Sequence, residues 1–247
     1  MTPHGLPDWG LVGPRQQTYG LDDVGEAAVR LGSPISYDRR GDVIWYEDWR
    51  GGLVRVVSGW AGAGGAADLV TTVPMHSPFC IRLTGGSTLA RQAYLSRNLP
   101  LGYLTVQGLE VWFRPEYHNE IIVVELTRAA IPQYASARIR IDIPNDQLAY
   151  YNDLGGYTVF LNGIGITEFE SGDSVLKLVV DFVNDTYVRV LLNGVTHLLT
   201  DIPVRVTGYA GGAVNQLVVT TTSEPLENSK LYISLLVATQ NEPVSQA

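Results

Sequence analysis

The stretch LVVDFVNDTYVRVLLNGVTHLL, from Leu178 to Leu199, holds three runs of β-formers separated only by Asn184-Asp185 and Asn193-Gly194. Turns this close leave no room for the crossover helix of a parallel sheet, so the segment reads as an antiparallel meander. Asn193-Gly194 is the stronger signal, because a type I′ turn needs positive φ at both central residues. Treating both turns as two-residue loops sets a register in which Val183 faces Thr186, Phe182 faces Tyr187, Val180 faces Arg189 and Leu192 faces Val195. Leu178, Val180, Phe182, Tyr187 and Leu191 then share one face, and Val179, Val188, Val190, Leu192 and Val195 the other. Both faces are largely apolar. A second sheet is expected over one, and loops, an N-terminal arm or another subunit over the other.

The rest of the chain agrees with an all-β reading. Only 17% of its 247 residues are charged, and Gly, Val, Thr, Leu and Tyr are plentiful, a balance that suits a turn-rich sandwich better than a helical bundle. A chain of this length can bury a sizeable core without metals or disulfides. The formal charge is -8, with no Lys/Arg cluster of the kind that tracks a phosphate backbone, so nucleic acid is excluded as a main partner. Cys80 is the single cysteine; set in PFCIRL, it reads as a small buried hydrophobe. No stretch is apolar for long enough to cross a bilayer as a helix, and MTPHGLPDWG lacks the pattern of a secretory signal. The expectation is a soluble protein with no membrane partner, made in a cytoplasm and reaching the outside, if at all, by lysis.

Residues 1–42 differ from the rest of the chain. They hold four of the 13 prolines, and Asp22 and Asp23 can cap one helical turn through VGEAAVRL before Gly32 stops it. We read residues 1–42 as an N-terminal arm and 43–247 as one domain, with Trp9 and Tyr19 as interface anchors in the arm. From Asp42 onward, strands follow one another at short intervals: DVIWYEDW, LVRVVSGW, the second half of WAGAGGAADLVTTVP, SPFCIRLTG, GGSTLARQAYLSRN, YLTVQGLEVWFRP, EIIVVELTRA, SARIRIDIP, GYTVFLNG, the meander, PVRVTGYA, NQLVVTTTSE and KLYISLLVATQ. About a dozen strands with turn signals every 8 to 15 residues or so predict an antiparallel β-sandwich.

EDW followed by a loop, GGSTLARQAYLSRNLP leading into GLEVWFRP, and LKLVVDFVNDTYVRVLLNG leading into HLLTDIP together resemble the concanavalin A-like lectin/glucanase jelly rolls, laminin G-like modules included. The resemblance covers roughly residues 43 to 240 and rests on strands and turns, not on catalytic residues, so it implies a fold rather than an activity.

Candidate chemistry is sparse. If GLEVWF and EIIVVEL form a hairpin across RPEYHN, Glu110, Trp112, Val123 and Glu125 share a face, with the two carboxylates roughly 7 to 8 Å apart at the backbone. That spacing fits the carboxyl pair of a glycoside hydrolase, about 5 to 9.5 Å apart. The next strand places Arg138, Arg140 and Asp142 on one face and Ile139, Ile141 and Ile143 on the other, so Glu110, Trp112, Glu125, Arg138 and Arg140 form the candidate ligand-binding set. The competing reading is a solvated face with exposed ion pairs. The family 16 hydrolases that share the fold carry Glu-x-Asp-x-x-Glu on one strand, which this chain lacks, so an enzyme is not expected and no catalytic residue is assigned.

His4, His76, His118 and His197 are isolated, and no metal or other cofactor is expected. Asp181, Asn184 and Asp185 occupy a loop of the kind that holds calcium in lectin-like modules, although turn chemistry explains them more simply. Trp45, Tyr46, Trp49, Trp60 and Trp112 read as core or interface anchors before sugar platforms. The favoured function is a non-enzymatic structural component of a virus-like assembly (capsid, decoration or tail protein), located in a virion or outside the cell, with copies of itself or other virion proteins as partners. The alternative is a carbohydrate-binding or adhesion module that takes surface glycans on a concave face around Trp112.

Overall fold

The structure, a computed structural model, describes residues 40–61, 64–71, 78–86, 92–99, 105–116, 120–166, 173–223 and 230–244. The arm over residues 1–42, its helical turn and the anchors Trp9 and Tyr19 lie outside the described residues, apart from Arg40, Gly41 and Asp42. Among the described residues there are sixteen strands, one 3-10 turn at Gly52–Arg55, and no α-helix. The strands, numbered in chain order, form two antiparallel sheets. The first runs β13 (Val195–Leu198), β12 (Thr186–Leu192), β11 (Ser174–Asp181), β6 (Val106–Pro115), β16 (Lys230–Gln240), β4 (Cys80–Thr84), β3 (Ala66–Val70), with β1 (Asp42–Glu47) on the C-terminal half of β16. The second runs β10 (Tyr157–Asn162), β9 (Gln147–Tyr151), β8 (Gln133–Asp142), β7 (Glu120–Ala130), β15 (Val214–Ser223), β5 (Gln92–Leu99), β2 (Val57–Trp60), with β14 (Arg205–Gly208) on the first half of β8. This is the sandwich that the strand spacing predicts.

The two sheets share one interior. Leu109, Val111 and Phe113 of β6, Leu176, Leu178 and Val180 of β11 and Leu236 and Ala238 of β16 face Ile122, Val124 and Leu126 of β7, Ile139 and Ile141 of β8 and Leu217 and Val219 of β15. Every one of these is a period-2 position of an apolar-rich strand, so the interior follows from alternation alone. Trp49 is fully enclosed in this core, and Trp45 packs against it, which settles two of the candidate aromatics as core.

The structure corrects the hairpin across RPEYHN. β6 pairs with β11 and β16, whereas β7 pairs with β8 and β15, so the chain passes from one sheet to the other between Pro115 and Glu120. A hairpin would have left each apolar row looking for a cover. Placed in opposite sheets, the two rows cover each other.

The meander is half as expected. Leu192 faces Val195, with Asn193 at φ 47 and Gly194 at φ 88, as the type I′ reading requires. The first loop has four residues rather than two: Asp181 faces Thr186 and Val180 faces Tyr187. The Asp181 carboxylate accepts hydrogen bonds from the Val183 and Asn184 backbone N–H and from Asn184 Nδ2, and this cap competes successfully with a tighter turn. Because Val179 then faces Arg189, Val188 is an extra residue and β12 bulges. The bulge reverses parity beyond it, so Val190 and Leu192 join the interior with Tyr187, while Leu191 stands opposite Lys177 of the outer face. Both faces of β11 are buried within the single chain, so burial of this strand needs no neighbouring subunit.

Candidate functional site

The five candidate side chains fall into two places. Glu110 and Trp112 lie on the outer face of the first sheet, opposite Lys177 and Val175 of β11. Glu125, Arg138 and Arg140 lie on the outer face of the second sheet. The sandwich interior separates the two sets, so Glu110 and Glu125 cannot act as a carboxyl pair. The Glu110 carboxylate is fully buried and accepts a hydrogen bond from Trp112 Nε1 at 2.7 Å, which leaves that tryptophan tied to its neighbour rather than set out as a stacking platform.

Around Glu110 the first sheet's outer face holds a second, closed set of charges. Glu242, just beyond β16, receives Lys177 Nζ on Oε1 and Arg189 Nη2 on Oε2, each at 2.7 Å, and all three side chains are fully buried. Thr239 Oγ1 adds a hydrogen bond to Glu242 Oε1 at 2.6 Å, Lys177 Nζ donates to the Arg40 carbonyl at 3.1 Å, and Arg189 donates to the Pro243 carbonyl. Gly108 makes room for this cluster: a Cβ there would stand 2.4 Å from Thr239 Oγ1 and 2.9 Å from Glu242 Oε1. The cluster is charge-paired and sealed, which suits a structural clamp and leaves no access for a ligand.

The second sheet's outer face is different in kind. Register places Tyr151 beside Arg138, Arg138 opposite Glu125, and Glu125 opposite Val218, with Tyr157 of β10 opposite Tyr151. The Arg138 guanidinium sits 4.7 Å over the Tyr151 ring, the Arg140 guanidinium 5.5 Å over the Tyr157 ring, and the two tyrosine rings are 5.2 Å apart. Arg138 Nε is 2.9 Å from Glu125 Oε1, and Ser136 Oγ donates to the same oxygen at 2.8 Å. Arg140 pairs with Asp142 one position along its own face. Arg205, from β14, donates to Tyr151 Oη at 2.8 Å and lies over the same ring. Its guanidinium is packed so closely over Gly155 (φ +88) that any side chain at that position would displace it.

Burial tunes these groups. It pushes the Tyr157 and Tyr134 phenols above their ordinary range, against the pull of Arg138. For Arg138 burial works towards deprotonation, but the Glu125 charge and hydrogen bond outweigh it and the guanidinium is held above its ordinary value. About a third of the Arg138 and Arg140 side chains remains exposed. The result is a half-open surface of paired tyrosines, three guanidinium groups and two carboxylates.

Tyr187 holds this surface from beneath. Its ring belongs to the first sheet and packs at a tilt against Tyr150 in the interior, with the ring centroids 5.8 Å apart. Its hydroxyl accepts the Arg138 backbone N–H at 2.9 Å and lies 3.1 Å from the Arg138 carbonyl and 2.9 Å from the Tyr151 carbonyl. One phenol therefore serves the backbone of both Arg138 and Tyr151 from the far sheet, and burial raises its pKa so that it keeps its proton.

Sequence reasoning finds Glu125, Arg138 and Arg140, and misses Tyr151, Tyr157, Arg205 and Tyr187. It does not distinguish β9 from the turn before it, although Tyr150-Tyr151 already carries the cue of one ring for each face. The loop set Asp181, Asn184 and Asp185 is occupied by protein contacts: Asp181 caps its own turn and Asp185 pairs with Arg128 at 3.0 Å. Among the described residues no group of three His, Cys, Asp or Glu side chains could hold a metal ion. Cys80 is buried, and its thiol is pushed up to about 11 by that burial.

No protein-family model matches the sequence, and no curated protein matches it. Solved structures do. An endo-beta-1,4-glucuronan lyase from the fungus Trichoderma reesei is similar over 83% of this chain and all of its own, with 12% identity and a TM-score of 0.58. A carbohydrate esterase from the Shiga toxin-encoding bacteriophage phi24B covers 82% of this chain and all of its own, with 12% identity and a TM-score of 0.55. The cellulose induced protein Cip1 covers 79% of this chain and 96% of its own, with 14% identity and a TM-score of 0.54. The fold is thus the concanavalin A-like jelly roll that the strand pattern resembles. At such identities the likeness shows fold alone.

Proposed function

We propose that the chain is a non-enzymatic carbohydrate-binding module and that its binding surface is the outer face of the second sheet. One observation carries the reading: Tyr157, Tyr151, Arg138 and Glu125 stand in a single cross-strand row, half-open to solvent, with their rings and guanidinium planes held together. Sugar rings stack on aromatic faces and hydrogen-bond to fixed polar groups beside them, and this row supplies both. The names of the similar structures refer to carbohydrate in two cases and to cellulose in a third, which supports the choice of ligand class. The separation of Glu110 from Glu125 removes the one carboxyl pair that favoured hydrolysis.

The test is a glycan array with the intact chain and with Tyr151→Ala and Tyr157→Ala. Either substitution is expected to weaken binding about tenfold or more while the thermal midpoint moves little. Glycan binding that both variants retain would place the ligand elsewhere and sink the proposal.

A second reading, a structural component of a virus-like assembly, draws its support from the phage origin of the esterase neighbour. It loses one premise, since both faces of β11 are buried without a second subunit. The two readings separate in a sizing experiment: a concentration-independent monomer that binds glycans favours the module, and a closed oligomer without glycan affinity favours the assembly.

A further inference from the structure

We infer that the ligand of this face is an acidic glycan, recognised through a carboxylate on its sugar units by Arg205 together with Arg138 and Arg140. The inference rests on the reading of the face as a glycan site and adds the charge of the ligand. Three guanidinium groups converge on the Tyr151–Tyr157 pair, and their donors are only partly used. Arg138 spends its Nε on Glu125 and Ser136 and also hydrogen-bonds the Tyr134 side chain. Arg140 uses one terminal nitrogen on Asp142, and its enclosed Nε has no acceptor. Arg205 has no carboxylate partner among the described residues: its one hydrogen bond goes to the Tyr151 hydroxyl.

An arginine held in place over an aromatic ring with its fork unspent is preorganised for a planar, bidentate acceptor. Four arginines elsewhere differ from this set, whereas Arg97 likewise lies over a ring, that of Trp45, and donates to a backbone carbonyl. The chain carries a formal charge of -8, and Arg82, Arg114, Arg128 and Arg189 each face a carboxylate. On this face, three guanidinium groups stand against two carboxylates, Glu125 and Asp142, leaving one positive charge in excess. A single carboxylate per sugar unit matches that excess, whereas a dianionic phosphate would meet Glu125 and Asp142 with an extra negative charge. The hydrogen bond to Tyr151 Oη and the place over that ring hold the Arg205 guanidinium before any ligand arrives.

The experiment is titration calorimetry of the full chain at neutral pH with hexameric β-1,4-oligoglucuronate and with cellohexaose, its neutral counterpart at C6. The acidic hexamer is expected to bind at least about tenfold more tightly. That advantage should collapse in Arg205→Gln, survive in part in Arg205→Lys, and shrink in about 0.5 M salt as the charges are screened. Arg140→Gln provides a second variant should Arg205→Gln disturb folding. Equal affinity for the two hexamers, or a preference that both glutamine variants retain, would overturn the carboxylate assignment and leave the glycan site standing. Binding of neither hexamer by the folded protein, with no acidic or neutral glycan bound on the array, would overturn the site and this inference together.

Discussion

The two outer faces of the sandwich are built from the same residue types and bury them to very different degrees. On the first sheet, Lys177, Arg189 and Glu242 are fully buried, each charge is paired at 2.7 Å, and backbone carbonyls take up further donors. On the second, Arg138, Arg140 and Glu125 are partly exposed. Charge content alone therefore says little about function. What separates the two faces is whether water can still reach the charged groups.

Substitutions can break or sharpen that contrast. The largest effect is expected at Glu242→Ala, which removes the buried carboxylate that Lys177 and Arg189 share. A loss of about 3 to 5 kcal/mol in denaturant unfolding is expected, and a loss below about 1 kcal/mol would show that the cluster is open to water. Tyr187→Phe should cost about 1 to 3 kcal/mol, since the Arg138 N–H loses its buried acceptor. It should also weaken any ligand of the second face without touching a ligand-facing atom, which a calorimetric titration of the variant would detect.

A third carboxyl, Glu120, belongs to neither face. It is buried, and that burial, only partly offset by the backbone N–H groups of Lys230 and Glu116, raises its pKa well above the ordinary carboxylate value of 4.5. The folded state therefore holds this proton more tightly than the unfolded chain. The contribution is fully present below pH 4.5 and is lost as pH rises through the higher folded value. Glu120→Gln should accordingly gain stability over the parent as pH rises, and parallel stability–pH curves for the two proteins would count against a buried, protonated Glu120. The smallest effect is expected at Glu125→Gln, whose half-open pair with Arg138 should be worth no more than about 1 kcal/mol. Chemical denaturation of that variant beside Glu242→Ala measures the contrast between the faces directly.

Local patterns in the sequence carry much of this architecture and little of the site. Alternation in SARIRID places Ile139 and Ile141 inside and Arg138 and Arg140 outside, and Asn193-Gly194 specifies its turn, because both depend on residues that are near neighbours in the chain. The same logic misjudges Asn184-Asp185, where a side chain a few positions earlier, Asp181, recruits the turn into a longer loop. It also misplaces β7, because nothing local in RPEYHN says which sheet the next strand will enter. That choice is made by burial of two whole apolar rows against each other. The site suffers most: Tyr151, Tyr157, Arg138 and Arg205 come from four different strands, and their meeting depends on pairings such as Arg205 opposite Ser136 that join distant parts of the sequence.

The Tyr187 hydroxyl has a consequence for how this surface opens. The Arg138 amide lies under a solvent-facing side chain, in a position where fast exchange with deuterium would be the ordinary outcome. Its acceptor, however, belongs to the opposite sheet, so the bond is released only when the two sheets part. The Arg138 amide should consequently exchange on the timescale of global unfolding rather than of local fraying. A face fastened in this way can keep its side chains exposed while its backbone stays as still as the core.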